Sequence, residues 1–154
     1  MLRATDIHRL ALLEGDEDPP CWIREVDAFV RRDLWHWYRD PDRHRAIALI
    51  AEDSTGLVGA CAADLVAPDA WYVPALYIEP SARRSGAGER LLGALIHELR
   101  TAAPSSSATW VSHPENAGMN ALSIRHDAEI TGTVPLRCHL NDEITDYRQW
   151  TLKL

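Results

Sequence analysis

The run Leu76-Tyr77-Ile78-Glu79-Pro80-Ser81-Ala82-Arg83-Arg84-Ser85-Gly86-Ala87-Gly88-Glu89-Arg90-Leu91-Leu92 decides the fold. Its first residues end a β-branched and aromatic stretch, Trp71 to Ile78, that reads as a strand. Its last residues open a helix, Gly86 to Arg100, with Leu91, Leu92, Leu95, Ile96 and Leu99 on one face. A strand, a glycine-containing loop and a helix therefore follow one another directly. The first N–H groups of a helix have no intrahelical partner and sit at the positive end of its dipole. Gly86 and Gly88 let an anion approach that backbone, and Arg83 or Arg84 adds charge-assisted hydrogen bonds. This is the chemistry of a pyrophosphate site.

Spacing separates the folds that use such loops. A P-loop ends in Gly-Lys-Ser/Thr, whereas Gly88 is followed by Glu89-Arg90. A dinucleotide fingerprint has a third glycine where this chain has Leu91, and it normally follows the first strand. Here two strands come earlier, Arg45 to Glu52 and Leu57 to Ala63, joined by the turn Asp53-Ser54-Thr55-Gly56 as an antiparallel hairpin. Pro74 inside the third strand marks a bulge, an edge or a local opening.

The remaining elements follow from periodicity. Asp6 to Leu13 and Ile23 to Arg39 read as helices separated by Gly15 to Pro20. After the central helix come a strand at Ala108 to Ser112 and a helix from Glu115 or Asn116 to about His126. An interrupted extended segment covers Glu129 to Leu140, then a turn at Asn141 to Glu143. Thr145 to Leu154 alternates, with Arg148, Trp150, Leu152 and Leu154 on one face and Tyr147, Gln149, Thr151 and Lys153 on the other. The expectation is an α/β (mixed α+β) domain spanning 1–154 as a single unit.

The pattern Arg83-x-x-Gly86-x-Gly88, placed between that strand and that helix, resembles the coenzyme A loop of the GNAT superfamily of N-acyltransferases. The likeness extends to Trp110-Val111-Ser112-His113-Pro114-Glu115-Asn116, a strand leading to an asparagine at a helix start, and to Leu122 beyond it. The element order from about residue 45 to 154 fits as well. The resemblance implies a mostly antiparallel sheet of six to seven strands flanked by about four helices. It implies acetyl-CoA, or another acyl-CoA, as cosubstrate, held by Leu76, Tyr77, Ile78, Arg83, Arg84, Ser85, Gly86, Ala87, Gly88, Glu89 and Asn116. An ordinary helix N-cap accounts for Asn116 equally well. The implied reaction is direct attack of a primary amine, on a small molecule or a protein, upon a thioester in a ternary complex.

The family's proton donor is commonly a tyrosine seven residues after that asparagine. This chain has Ser123 there, and Asp127-Ala128 replaces the usual glycine-aromatic pair. Tyr72, His113 and Ser123 are the catalytic candidates, with Glu79 and Glu115 behind them. Ser123 in the tyrosine position keeps open a non-catalytic domain that binds or senses acyl-CoA. A third option is an unrelated nucleotide-binding module. Val26 to Arg32 looks somewhat like the early helix of toxins that acetylate aminoacyl-tRNA. A net charge of −7, however, lacks the basic footprint of a nucleic-acid binder.

Composition sets the outer limits. Cys21, Cys61 and Cys138 are widely spaced and odd in number, which argues against a disulfide framework or a zinc site and for the cytoplasm. The histidines fall at no metal-ligand spacing, so no metal is expected. No apolar run nears the ~18–20 residues of a bilayer span, so no membrane partner is expected. A homodimer is compatible with all of this.

Overall fold

The computed structural model describes residues 46–54, 56–137 and 142–154. The helices expected over 6–13 and 23–39, together with Cys21, Cys138 and His139, lie outside the described residues.

Six strands form one sheet in the order β1-β2-β3-β4-β6-β5. They are β1 (Ala46–Asp53), β2 (Gly56–Ala67), β3 (Ala70–Ile78), β4 (Ser107–Ser112), β5 (Glu129–Arg137) and β6 (Ile144–Lys153). Helix α1 (Ala87–Ala102) joins β3 to β4, and α2 (Ala117–Arg125) joins β4 to β5. A 3-10 turn at Pro80–Ala82 precedes α1. All neighbouring pairs are antiparallel except β3 and β4. Of the four expected helices, the two that fall on described residues are present. No helix among the described residues is long and apolar enough to cross a membrane.

The helices share one face of the sheet. Leu91, Leu92, Leu95, Ile96 and Leu99 bury the apolar stripe of α1 against Cys61, Trp71, Val73 and Ala108. Full burial of side chains this size stabilises by about 1.5–3 kcal/mol each. Gly88 of α1 lies against Leu122 of α2, and Glu89 pairs with Arg125 at 3.3 Å, so the helices run side by side at the start of α1.

The third strand explains Pro74. Tyr72 to Ala75 spans three steps, while the matching stretch of β2, Asp64 to Ala62, spans two. The extra residue of β3 is a β-bulge. One added residue turns the following side chains to the opposite face. Before the bulge, Trp71 and Val73 enter the core; after it, Leu76 and Ile78 pack against that core. On its other side β3 pairs with β4 at only three positions, Ala70–Ser107, Trp71–Ala108 and Tyr72–Thr109. Pro74 has no N–H to continue either ladder. The two strands therefore part at the bulge.

β4 is held away from β3 by its other partners. Trp110 Nε1 donates to Ser123 Oγ at 2.9 Å, and Ser123 Oγ donates to the Met119 carbonyl at 2.9 Å. Trp150 Nε1 donates to Ser112 Oγ at 2.8 Å, and Ser112 Oγ donates to Asn120 Oδ1 at 2.6 Å. Two serines thus tie paired tryptophans of β4 and β6 to one side of α2. Both hydroxyls are buried, so each uses its donor and acceptor within the protein.

The end of α2 shows what replaces the glycine-aromatic pair. Ala128 N donates to Ser123 O at 3.0 Å and Asp127 N to Ile124 O at 3.1 Å, the two bonds of a Schellman cap. Asp127 occupies the left-handed position at φ 60°. Aspartate tolerates that region better than most residues. Ala128 then turns into the core with little volume.

Two measurements test this fold. Asn120→Ala strips the acceptor from a buried hydroxyl and lowers unfolding free energy in urea by about 1–3 kcal/mol. Asp127→Gly removes left-handed strain at some cost in chain entropy and raises stability by about 0.5 kcal/mol.

Candidate active site

A cleft of about 800 Å³ opens where β3 and β4 part, a size suited to a large cofactor or ligand. Its walls include Tyr72 to Ile78, Arg83, Arg84, Gly86, Gly88, Glu89, Val111 to His113, Glu115 and Asn116. The expected coenzyme residues Ser85 and Ala87 stand beside this lining, Ser85 exposed and Ala87 buried as the first residue of α1.

The β3 wall offers main-chain groups. Glu79 N donates to Val58 O of β2 at 2.8 Å. Hydrogen-bonding direction alternates along a strand, so Tyr77 also turns its N–H and C=O toward β2. Leu76 and Ile78 turn theirs to the open side. Arg83 Nε donates to the Ile78 carbonyl at 3.1 Å, which fits that direction. The sequence alone suggested Arg83 purely as an anion ligand; in the structure it also ties the loop to the end of β3.

Further bonds set the loop. Ser85 Oγ donates to Ala82 O at 2.7 Å, and Arg90 Nη1 to Ser85 O at 3.3 Å. Gly86 is the N-cap of α1 at φ 81°, a conformation that favours glycine, and it has no capping side chain. Arg84 also adopts positive φ, 62°. The N–H groups that open α1 stand at the cleft. A Cβ on Gly88 would lie 3.2 Å from Leu122 Cδ1 and 3.6 Å from Ile78 Cγ1, so a larger side chain must enter the cleft or part the helices. Arg83, Arg84 and Arg125 outnumber Glu89 at this end. These residues fit a diphosphate-bearing coenzyme.

The α2 wall brings the other candidates into place. Asn116 Oδ1 accepts from Met119 N at 3.1 Å and caps α2, which satisfies the N-cap reading. Tyr72 and His113 both line the cleft. Ser123 does not: it has no exposed surface, and its hydroxyl serves Trp110 and Met119. The expectation that Ser123 addresses a substrate or its sulfur is therefore corrected. Glu79 is likewise outside the lining, while Glu115 is within it.

Sequence reasoning missed Tyr147 and Asn120. Alternation placed Tyr147 on the polar face of β6, yet it is buried and meets His113 edge-to-face at 5.2 Å and 88°. The signal available was its aromatic character on an otherwise polar face. Asn120 lay inside a helix with a weak apolar stripe and gave no signal.

Residues 7–135 match the Acetyltransferase (GNAT) family. The chain belongs to that family. No curated protein matches the chain. Among solved structures, this GNAT chain is similar to a ribosomal-protein-alanine N-acetyltransferase from Brucella melitensis, with 22% identity, TM-score 0.78, and 99% of this chain and 97% of that one covered. It is similar to the ribosomal-protein-S18-alanine N-acetyltransferase from Escherichia coli, with 17% identity, TM-score 0.72, and 99% and 90% covered. It also resembles yncA from Salmonella typhimurium, solved with its cofactor acetyl-CoA, with 17% identity, TM-score 0.68, and 81% and 73% covered. At these identities the likeness is one of fold.

Cys61 is no nucleophile for this GNAT site. Its thiol is buried 3.9 Å from the Leu91 carbonyl. Burial pushes its pKa up from 9.0 to about 12, against a smaller lowering by a backbone hydrogen bond from Leu49. Among the described residues no cluster of three His, Cys, Asp or Glu could hold a metal.

Two outcomes follow for the site. Gly88→Trp abolishes acetyl-CoA binding in calorimetry while circular dichroism stays native. The raised Cys61 pKa means the unfolded chain releases its proton first as pH rises. The thiol's contribution is whole below 9.0 and declines as pH climbs toward about 12. In thermal melts over that window, Cys61→Ala loses stability less steeply than wild type.

Proposed function

We propose that the chain, acting as one domain over 1–154, transfers an acetyl or other short acyl group from acetyl-CoA to a primary amine. The amine attacks directly in a ternary complex. The observation that carries this reading is the parting of β3 from β4 at the bulge, which leads straight into the Gly86–Gly88 helix start. Family membership and a neighbour solved with acetyl-CoA support it.

Bound acetyl-CoA would supply an activated thioester. The backbone N–H groups of Gly86, Ala87, Gly88 and Glu89 at the start of α1, with the side chains of Arg83, Arg84 and Ser85, would hold the diphosphate end. The main chain of Leu76 and Ile78, with Tyr77 between them, aligns the pantetheine arm and polarises the acyl carbonyl, as an oxyanion site does. The amide nitrogen of Asn116, whose oxygen caps α2, meets the arm from the other wall.

The attacking amine must be neutral, though an alkylamine has a pKa of about 10.4. Tyr72, His113 and Glu115, which line the cleft, are the candidates to help. The departing thiolate, with a pKa of about 8.5, is stable enough to leave with water as its proton source. Ser123→Ala therefore lowers stability but leaves kcat per folded molecule within about threefold, since it touches no reacting atom.

The acceptor class favoured is a protein α-amine, since neighbours of nearly full coverage are named for acetylating ribosomal-protein alanine. A small-molecule amine is the other class. Burial of Ser123 favours a second reading, a domain that binds acyl-CoA without turnover.

Calorimetry with acetyl-CoA, NADH and ATP tests the first step, and only acetyl-CoA is expected to bind. Release of free coenzyme with a peptide carrying N-terminal alanine tests the second. Binding without turnover of any amine selects the sensing reading, and no binding overturns both.

A further inference from the structure

One face of α2 forms a wall of the cleft along the helix. Gly118, Ala121, Leu122 and Arg125 line it, three or four positions apart and so on one side. Gly118 and Ala121 are small, which leaves room beside that wall. At 1.5 Å per residue, Arg125 stands about 10 Å along α2 from Gly118. The near end of the wall is Asn116, and the far end meets the start of α1.

At that far end three side chains form a cluster. Arg125 Nη1 donates to Glu89 Oε2 at 3.3 Å. The other carboxylate oxygen, Oε1, lies 3.2 Å from His126 Nε2. That nitrogen is shut off from solvent, and the approach is close without hydrogen-bond alignment. Both oxygens of Glu89 are thus turned to α2. The helix dipole favours an acid in the first turn. Yet Glu89 also lines the cleft beside the proposed diphosphate site, where a loose carboxylate would repel the ligand. Its two α2 partners hold it aside.

Arg125 gains a fixed position from this pair and keeps most of its donors. A guanidinium carries five N–H groups in a rigid fork. Glu89 takes one of them, and the Arg125 side chain is 68% exposed. An ion pair this open adds little to stability. What it supplies is orientation, and an arginine held beforehand loses less freedom on binding.

Coenzyme A carries more negative charge than its diphosphate. Its adenosine bears a separate 3′-phosphate, a monoester of charge about −1.5 to −2 near neutral pH. The helix start, with Arg83 and Arg84, matches the diphosphate. Arg125 is a further cation on the opposite wall, and its fork suits a terminal phosphate. We propose that Arg125 binds the 3′-phosphate of the coenzyme, with Glu89 as the positioning residue that aims it. The inference rests on the acetyl-CoA reading above and extends it to the far end of the ligand. The cleft then selects coenzymes with a 3′-phosphate over those without one.

Calorimetry with CoA and 3′-dephospho-CoA, which differ only in that group, is the test. Wild type binds CoA about tenfold more tightly, the worth of a hydrogen bond to a charged group. Arg125→Ala and Arg125→Gln both bring the ratio of the two affinities close to one, with circular dichroism native. Glu89→Ala narrows the ratio about threefold, and adding it to Arg125→Ala changes the ratio no further. Glu89→Gln restores the ratio, because its amide oxygen still accepts from Nη1. Phosphorus-31 NMR of bound CoA reads the group directly. In wild type the 3′-phosphate loses its last proton below the usual pKa of about 6, and Arg125→Ala returns it there. Equal losses on both ligands put Arg125 on the diphosphate and overturn the inference. A wild-type ratio near one overturns it too, with the acetyl-CoA reading left standing. If neither ligand binds wild type, that reading fails and this one falls with it. An unchanged ratio in Glu89→Ala removes Glu89 from its role.

Discussion

Strands β3 and β4 lie side by side from Ala70–Ser107 to Tyr72–Thr109 and then separate, β3 staying with β2 and β4 with β6. A sheet interior normally satisfies its backbone by pairing. Here the main-chain groups of Leu76 and the N–H of Ile78 are left facing a cleft, the Ile78 carbonyl being taken by Arg83. Such groups demand partners, and a ligand can supply them. The separation also sets where α1 begins, because the loop from Ile78 to Gly86 must leave β3 at the gap and rise over it. The β3 wall of the cleft, the helix start at Gly86 and the opposite wall on β4 and α2 thus descend from one interrupted ladder.

Keeping the gap open requires force on both sides. The bulge and Pro74 weaken the ladder from within β3. The tryptophan–serine–asparagine bonds hold β4 against β6 and α2. These bonds matter more for placement than for net stability, since a typical hydrogen bond adds only about 0.5–1.5 kcal/mol. Ser123 belongs to this frame. Its space against Trp110 is fully buried, with no room for a larger side chain, so its hydroxyl braces the indole and does not reach into the cleft.

Much of this was legible in the sequence because it is local. The period change at Gly86, the hairpin around Gly56 and the amphipathic stripe of α1 are short-range signals, and each element among the described residues lies within a few residues of its expected bounds. Pro74 announced an irregularity, though only pairing with two neighbours reveals it as a bulge beside an opening. The site was harder. Ser123 was assigned by its distance from Asn116, and distance along a helix says nothing about the indole waiting beneath it. Tyr147 and His113 are 34 positions apart and meet only through the β4–β6 register. Alternation failed at Tyr147 because both faces of the sheet bury side chains there.

Along β4 the even positions, Ala108, Trp110 and Ser112, are buried, while the odd ones are half-buried. The even set carries the structural bonds, and of the odd set Val111 borders the cleft, alongside Trp110 and Ser112. This division bears on how such a protein can evolve. Substitutions at Val111 or His113 change the wall of the cleft without disturbing the brackets to α2. Changes to the shape and polarity of that wall can therefore accumulate one residue at a time, with the scaffold never passing through an unfolded intermediate in sequence space.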